Sequence, residues 1–319
     1  MTEQKAKLII LTGPTAVGKT KLSIELAKEV NGAIVSADSM QVYRGMDIGS
    51  AKIKKEEMQG IPHYLIDVLS PKEEFHVAKF KELALDALQD IYQKGKLPII
   101  TGGTGFYIQA LLYDVTFSEQ ACEQSYREEL AAFAAKHGAH ALHEKLRQVD
   151  SHAADQIHEN NIKRVIRALE YYHETGQPIS AHNEAAKKQT SPYQFAYFVL
   201  NDDRDKLYAR IDARVDEMIA EGLEDEVKKL KDAGYTGSEV SMQGLGYKEM
   251  LAYLRGDISK EEAIYKIKRD TRHFAKRQLT WFRRERDVIW LERAQYQSDE
   301  TLILNEMLRI LKEKEIFTV

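Results

Sequence analysis

Residues Gly13, Pro14, Thr15, Ala16, Val17, Gly18, Lys19 and Thr20 fill the spacing G-x-x-x-x-G-K-[ST] without a gap. That pattern is built for phosphate. The glycines let backbone N–H groups converge on phosphate oxygens, a helix N-terminus adds partial positive charge, Lys19 neutralises a terminal phosphate, and the Thr20 hydroxyl suits Mg²⁺. The loop is expected to bind a di- or triphosphate, and ATP and other nucleotides qualify. It leaves the reaction open. A nucleotide hydrolase usually adds a second strand ending in an acid, and two runs compete for that place, "AIVSAD" ending at Asp38 and "HYLID" ending at Asp67.

The stretch after the first of these, "ADSMQVYRGMDIGSAK" (37–52), gathers Asp38, Ser39 and Gln41 where a strand should end beside the phosphate loop. Open α/β sheets bind ligands at that edge. Asp38 can accept a proton or hydrogen bond from an amino group, and Gln41 can donate and accept in one plane, as reading a base edge requires. A third loop, "TGGTGFYIQAL" (101–111), sets paired glycines between an apolar strand and a helix, where backbone could approach a substrate.

These loops need a scaffold, and the chain supplies one. The runs "KLIILT", "GAIVSA", "HYLIDV" and "LPIITGG" alternate with helical patterns, which is the signature of βαβ units on a parallel sheet. In "HVAKFKELALDALQDIYQKG", Val77, Phe80, Leu83, Ala84, Ala87, Leu88 and Ile91 share one helix face, and Gly95 marks the stop. From about Ser118 to Thr190 the strand signals lapse and polar helices follow one another. The chain is therefore expected to be an α/β protein: a core in two parts, 1–117 and 191–319, interrupted by an all-helical insertion at 118–190. The second part opens with a strand, "QFAYFVL", continues into one long helix, "DRDKLYARIDARVDEMIAEGLEDEVKKLKDAG", and ends with a basic segment, the strand "DVIWLE" and a terminal helix.

Composition narrows the class further. With 43% hydrophobic and 30% charged residues over 319 positions, the chain can bury a core without cross-links, and no apolar run is long enough to span a bilayer. The N-terminus "MTEQKAK" lacks a leader's apolar region, so a cytoplasmic location is expected. The single cysteine, Cys122, rules out an internal disulfide and reads as a buried bystander. Net charge is −4, yet 264–286 carries nine Lys or Arg against two acids, a local polyanion site in an acidic protein. On that segment Ile267, Thr271, Phe274, Gln278 and Trp281 fall on one helix face, with Lys266, Arg269, His273, Lys276 and Arg283 on another.

Seven segments in order resemble the tRNA dimethylallyltransferases, also called tRNA isopentenyltransferases: "GPTAVGKT", "DSMQVYRGMDIGSAK", "GGTGFYIQALL", "RVIRALE" (164–170), "DRDKLYARIDARVDEMI", "QGLGYKEM" (243–250) and "AKRQLTWFRR" (275–284). The resemblance spans nearly the whole chain. It implies a P-loop NTPase-like sheet flanked by helices, and a reaction in which the loop holds the pyrophosphate of dimethylallyl diphosphate as leaving group, with Mg²⁺ at Thr20. The nucleophile would be the exocyclic amine of the adenosine 3′ to the anticodon, with tRNA as partner and a monomer as working form. Asp38 matches the family's proton acceptor, and Arg214 the arginine that braces the departing pyrophosphate with Lys19. The resemblance assigns tRNA contacts to Asp38, Ser39, Met40, Gln41, Thr104 and Arg127. Contacts from the remaining motifs would come from Lys163, Arg164, Arg167, Gln243, Gly246, Tyr247, Lys276, Arg277, Gln278, Thr280, Trp281 and Arg283, so that two basic arms serve one RNA.

Some features stay outside this reading. His140 and His143, three apart, read as a helix surface rather than metal ligands. No cysteine follows Cys122, so the C-terminal zinc finger of some relatives is not expected. A P-loop kinase using the insertion as a lid would share the loop and is set apart by its consumption of ATP; a non-catalytic RNA-binding protein would share it too, but leaves Asp38 and Arg214 unexplained.

Overall fold

The computed structural model describes residues 5–115 and 124–318. Cys122 and the expected start of the insertion at Ser118 lie outside the described residues. The chain divides into two compact units, Met1–Leu112 with Pro192–Val319, and Tyr113–Ser191.

The first unit opens with β1 (Ala6–Thr12), α1 (Lys19–Glu29), β2 (Gly32–Ser36), β3 (His63–Tyr64), α2 (Val77–Gln93), β4 (Leu97–Gly102) and α3 (Gly105–Leu112). The second unit holds α4 (Gln124–Val149), α5 (Ser151–Gln156), α6 (Ile162–Thr175) and α7 (Ile179–Lys188). The first unit then resumes with β5 (Tyr193–Asn201), α8 (Arg204–Glu221), α9 (Leu223–Asp232), α10 (Tyr247–Arg255), α11 (Lys260–Phe282), β6 (Val288–Glu292) and α12 (Glu300–Glu313).

Among the described residues the strands form one six-stranded sheet in the order β3-β2-β4-β1-β5-β6. Every pairing is parallel. Leu8 to Leu11 of β1 and Ala196 to Leu200 of β5 are fully buried, as expected of central strands covered on both faces. Because β1 lies between β4 and β5, with β2 beyond β4, the carboxyl ends of β1, β2 and β4 are neighbours. The phosphate loop, Asp38 and the glycine loop leave the sheet from those three ends.

Two expectations need correction. "HYLIDV" pairs as a strand only at His63 and Tyr64, because Leu65 and Asp67 take left-handed backbone, φ 62° and 56°. The chain turns there to run beside 41–44, where the N–H groups of Asp67 and Val68 donate to the carbonyls of Gln41 and Val42. The expected single long helix after β5 is two, α8 and α9, separated at Gly222 with φ 102°. A residue with a side chain strains at that angle, so the glycine ends one helix and starts the next. Helix α2 begins at His76, whose ring accepts from the Lys79 N–H, and stops ahead of Gly95 at φ 64°.

The helices of the second unit have a core of their own, including Leu130, Leu142, Leu146, Val165, Ala168 and Leu169. Helix α4 is broken at Gly138, φ 86° and ψ 163°, and α6 ends at Gly176 in left-handed conformation.

Candidate active site

The phosphate loop is shaped by backbone that side chains would obstruct. Gly13 has φ 145°, and a Cβ there would lie 2.2 Å from the Leu200 carbonyl oxygen. Gly18, φ 101°, caps α1. Lys19 is the first residue of that helix, and its Nζ donates to the carbonyls of Gly13 at 3.0 Å and Pro14 at 2.7 Å. Burial, helped by the nearby Arg214 charge, lowers the Lys19 ammonium to about 7, while Asp38 acts in the opposite sense. Arg214 on α8 is likewise lowered by burial and raised by Asp38. One carboxylate thus sits among two cations that desolvation weakens.

Asp38 begins a tight turn beyond β2. Its Oδ1 accepts from the Met40 N–H at 2.8 Å and the Gln41 N–H at 3.4 Å, which fixes the carboxylate. Gln41 is held at both ends, accepting from the Ser36 hydroxyl at 3.2 Å and donating to the Ala51 carbonyl at 3.4 Å. The same carbonyl accepts from Arg214 Nη2 at 3.4 Å.

The third loop uses its glycines to admit other parts of the protein. A Cβ on Gly102 would meet the Ala37 carbonyl oxygen at 2.2 Å, one on Gly103 would meet Gln278 Nε2 at 2.1 Å, and one on Gly105 would meet the Trp281 ring at 2.2 Å. Gln278 of α11 is buried here, accepting from the Thr15 N–H at 2.9 Å and donating to the Gly103 carbonyl at 2.9 Å. It fastens the phosphate loop to the glycine loop.

Around these groups lies a cavity of about 510 Å³. Thr15, Lys19, Thr20, Asp38, Gln41, Thr104 and Arg214 supply its polar wall. Phe75, Tyr107, Val215, Met218, Ile267 and Phe274 supply an apolar one. Phe75 and Tyr107 meet edge to face at 5.5 Å, and Tyr107 stacks on Phe80 at 4.7 Å, so the aromatic wall is braced from behind. A phosphate cradle, a fixed carboxylate and a small apolar surface in one cavity suit a phosphorylated, partly hydrocarbon substrate. Among the described residues no group of three or more His, Cys, Asp or Glu is placed to hold a metal. His140 contacts Glu159, and His143 lies against the carbonyls of Ala154 and Ile157.

The expected RNA contacts fall into different settings. Ser39, Met40, Gln41, Thr104, Gln243, Gly246 and Arg277 line the cavity, and Arg277 also lies over the Phe274 ring at 5.7 Å. Lys276 and Thr280 are exposed on α11 and Arg283 is exposed just past its end, although the Thr280 hydroxyl donates to its own helix at Lys276. Lys163, Arg164 and Arg167 are exposed on α6. Arg127 makes a two-pronged pair with the buried Glu170, at 2.6 and 3.0 Å. Three side chains take internal places instead. Tyr247 is fully buried and donates to Glu226, which removes its side chain from any RNA surface. Gln278 acts within the protein as described, and Trp281 packs on Gly105 and, edge to face, on Phe106. The basic segment is also less free than its composition indicates, since Lys268 and Arg272 pair with Asp216 and Asp212 of α8.

Sequence reasoning missed Glu226. Its carboxylate accepts the N–H groups of Asp47, Ile48 and Gly49 at 2.9, 2.8 and 3.1 Å, besides the Tyr247 hydroxyl. The available signal was Gly222, which ends α8 and starts the helix that carries this carboxylate.

A family model described as IPP transferase matches residues 41–285. The chain belongs to the IPP transferase family. It is 62% identical to a tRNA dimethylallyltransferase of Lachnoclostridium phytofermentans over 97% of this chain and 98% of the relative. Identity to the tRNA dimethylallyltransferase of Acetivibrio thermocellus is 52%, over 93% of this chain and 95% of the relative. Among solved structures, a full-length tRNA isopentenylpyrophosphate transferase from Bacillus halodurans aligns with TM-score 0.73 at 47% identity, covering 98% of both chains. A eukaryotic dimethylallyltransferase acting on tRNA aligns with TM-score 0.72 at 29% identity, covering 90% of this chain and 74% of that one.

Proposed function

We propose that this member of the family transfers the dimethylallyl group of dimethylallyl diphosphate to the exocyclic amine of the adenosine 3′ to the anticodon in tRNA, releasing pyrophosphate. The observation that carries this reading is the single cavity in which the phosphate loop, Asp38 and Arg214 meet an apolar wall. The diphosphate lies on the loop backbone, with Lys19 and Arg214 against its oxygens and the hydrocarbon on the apolar side. The allylic carbon–oxygen bond breaks, its electron pair leaves with pyrophosphate, and the amine nitrogen bonds to the freed carbon. Asp38 takes the proton that the amine loses. Lys19 and Arg214 act on charge that grows as the bond breaks, so they stabilise the transition state more than the bound substrate. Thr20 would hold Mg²⁺ together with the diphosphate, since that ion commonly takes few protein ligands beside phosphate oxygens, and the metal would neutralise the leaving group. The adenine must leave the anticodon-loop stack, which costs a few kcal/mol and calls for contacts to the splayed RNA. Among the described residues no helix is long and apolar enough to cross a membrane. A cytoplasmic site of action and a monomeric working form belong to the proposal.

The direct test is to incubate the protein with Mg²⁺, unmodified tRNA and either dimethylallyl diphosphate or ATP, digest the tRNA and weigh its nucleosides. An adenosine heavier by one dimethylallyl group, formed without ATP, is expected. Unmodified nucleosides with consumption of ATP would favour a kinase instead.

Two further outcomes follow from the charges. With Lys19 lowered to about 7 and needed in its charged form by the diphosphate, binding should draw in a proton, and affinity should fall as pH rises above 7. Calorimetry of inorganic pyrophosphate binding at pH 8, in buffers of different ionisation enthalpy, should show more proton uptake for the wild type than for Lys19→Gln. Equal uptake by the two would contradict the role of Lys19. Changing Lys163 and Arg164 together to Ala should weaken tRNA binding and lower the slope of log affinity against log salt by about 1 to 2. An unchanged slope across a salt series would remove α6 from the RNA interface.

A further inference from the structure

The cavity wall contains a turn whose stiffness comes from outside the cavity. Lys52 follows Ala51, whose carbonyl accepts from both Gln41 and Arg214. The Lys52 side chain is 4% exposed, and its Nζ donates to the Tyr43 carbonyl at 2.6 Å, Asp47 Oδ1 at 2.6 Å and Asp67 Oδ1 at 2.5 Å. An ammonium has three protons, and all three have acceptors here. The Lys52 N–H donates to the Asp47 carbonyl at 2.9 Å, so main chain and side chain close the same turn. Glu226 holds that turn from its other side through the N–H groups of Asp47, Ile48 and Gly49. Ala51 itself sits at φ 46°, a left-handed conformation that a side chain tolerates poorly and that the surrounding bonds must sustain.

We propose that Lys52 is a positioning residue for the transfer: by closing the turn on Asp47 and Asp67 it aims the Ala51 carbonyl, the shared acceptor that sets Arg214 and Gln41 relative to one another. Lys52 touches no substrate. It acts through one carbonyl oxygen that links the arginine facing the diphosphate to the glutamine facing the base. Asp67, whose place at the end of "HYLID" made it a candidate for the strand-end acid of a nucleotide hydrolase, serves here as an anchor for that ammonium. The inference rests on the roles proposed above for Arg214 and Gln41.

The test is a double-mutant cycle on the full chain with tRNA and dimethylallyl diphosphate, reading kcat, KM, tRNA affinity and thermal melting. Lys52→Met is expected to lower kcat about 10- to 100-fold, the size of effect that a misplacement of about 1 Å produces, with tRNA affinity within about threefold of wild type. In an Arg214→Ala background the same change should cost no more than about threefold, because the group it aims is gone. The exposed anchors provide a milder route that does not depend on burying a methionine: Asp47→Asn with Asp67→Asn should lower kcat at least about fivefold, with little change in melting or in the KM for dimethylallyl diphosphate. Wild-type kcat in Lys52→Met or in the double Asn variant would overturn the inference, as would costs of Lys52→Met and Arg214→Ala that multiply in full. An Arg214→Ala enzyme at wild-type rate would instead bring down the site reading on which the inference rests.

Discussion

Asp38→Asn is expected to lower kcat by about 10³, within the 10² to 10⁴ that a positioned general base contributes. The asparagine can still accept from the N–H groups of Met40 and Gln41, so the turn beyond β2 survives and only the basic oxygen is lost. A factor of 10³ corresponds to about 4 kcal/mol of transition-state stabilisation. The exocyclic amine of adenine is a weak nucleophile because its lone pair is delocalised into the ring, so the reaction depends on a group that removes the proton as the new bond forms. Asp38→Ala should fall at least as far, because it also releases the turn. Filter binding of tRNA by both variants should stay within about threefold of wild type, since one neutralised carboxylate adds no repulsion toward RNA. A kcat for Asp38→Asn within tenfold of wild type would take Asp38 out of the proton transfer.

Arg214→Ala should reduce kcat by about 10² to 10³, the range seen when one preorganised donor to a developing charge is removed. Its setting explains why so much rests on one side chain. The guanidinium is desolvated, lies near Lys19 and Asp38, and is aimed by the Ala51 carbonyl. Because burial desolvates it, its charge is poorly screened, so the growing negative charge on pyrophosphate feels it strongly. Arg214→Lys should recover only part of the loss, because an ammonium cannot engage two oxygens in one plane while keeping the Ala51 contact. Single-turnover measurement with saturating tRNA isolates the chemical step. Equal rates for Arg214→Ala and wild type there would show that the arginine serves binding or release alone.

Much of this was visible in the chain before its coordinates. The phosphate loop declared itself because its chemistry is local: eight consecutive residues carry both the glycines and the charged partner. Helix α2 was readable from one apolar face and from Gly95 as its stop. Strands β1, β2, β4 and β5 were readable because buried parallel strands are continuous apolar runs. Long-range pairing was less accessible. Nothing in "HYLIDV" announces that Leu65 and Asp67 turn left-handed to meet residues 41 and 42, since that conformation is imposed by partners more than twenty residues away. Tyr247 and Gln278 lie in motifs whose resemblance pointed to RNA, yet one bonds Glu226 and the other joins Thr15 to Gly103. A motif records that a residue type is needed at a position. Whether it faces a ligand or the back of the loop that faces the ligand is decided by tertiary packing. Lys52 is the strongest example, a charged residue in a quoted motif whose three bonds all go to the protein.

The central claim is that the phosphate loop grips a leaving group and donates no phosphoryl group. Dimethylallyl diphosphate labelled with ¹⁸O at the oxygen bridging carbon and phosphorus tests it in one turnover with unmodified tRNA. Cleavage of the carbon–oxygen bond predicts that all of the label appears in the released pyrophosphate, matched by unlabelled dimethylallyl on the adenosine amine. Label retained on the organic fragment, or a phosphorylated nucleoside among the products, would mean that a phosphorus–oxygen bond had broken and would contradict the account.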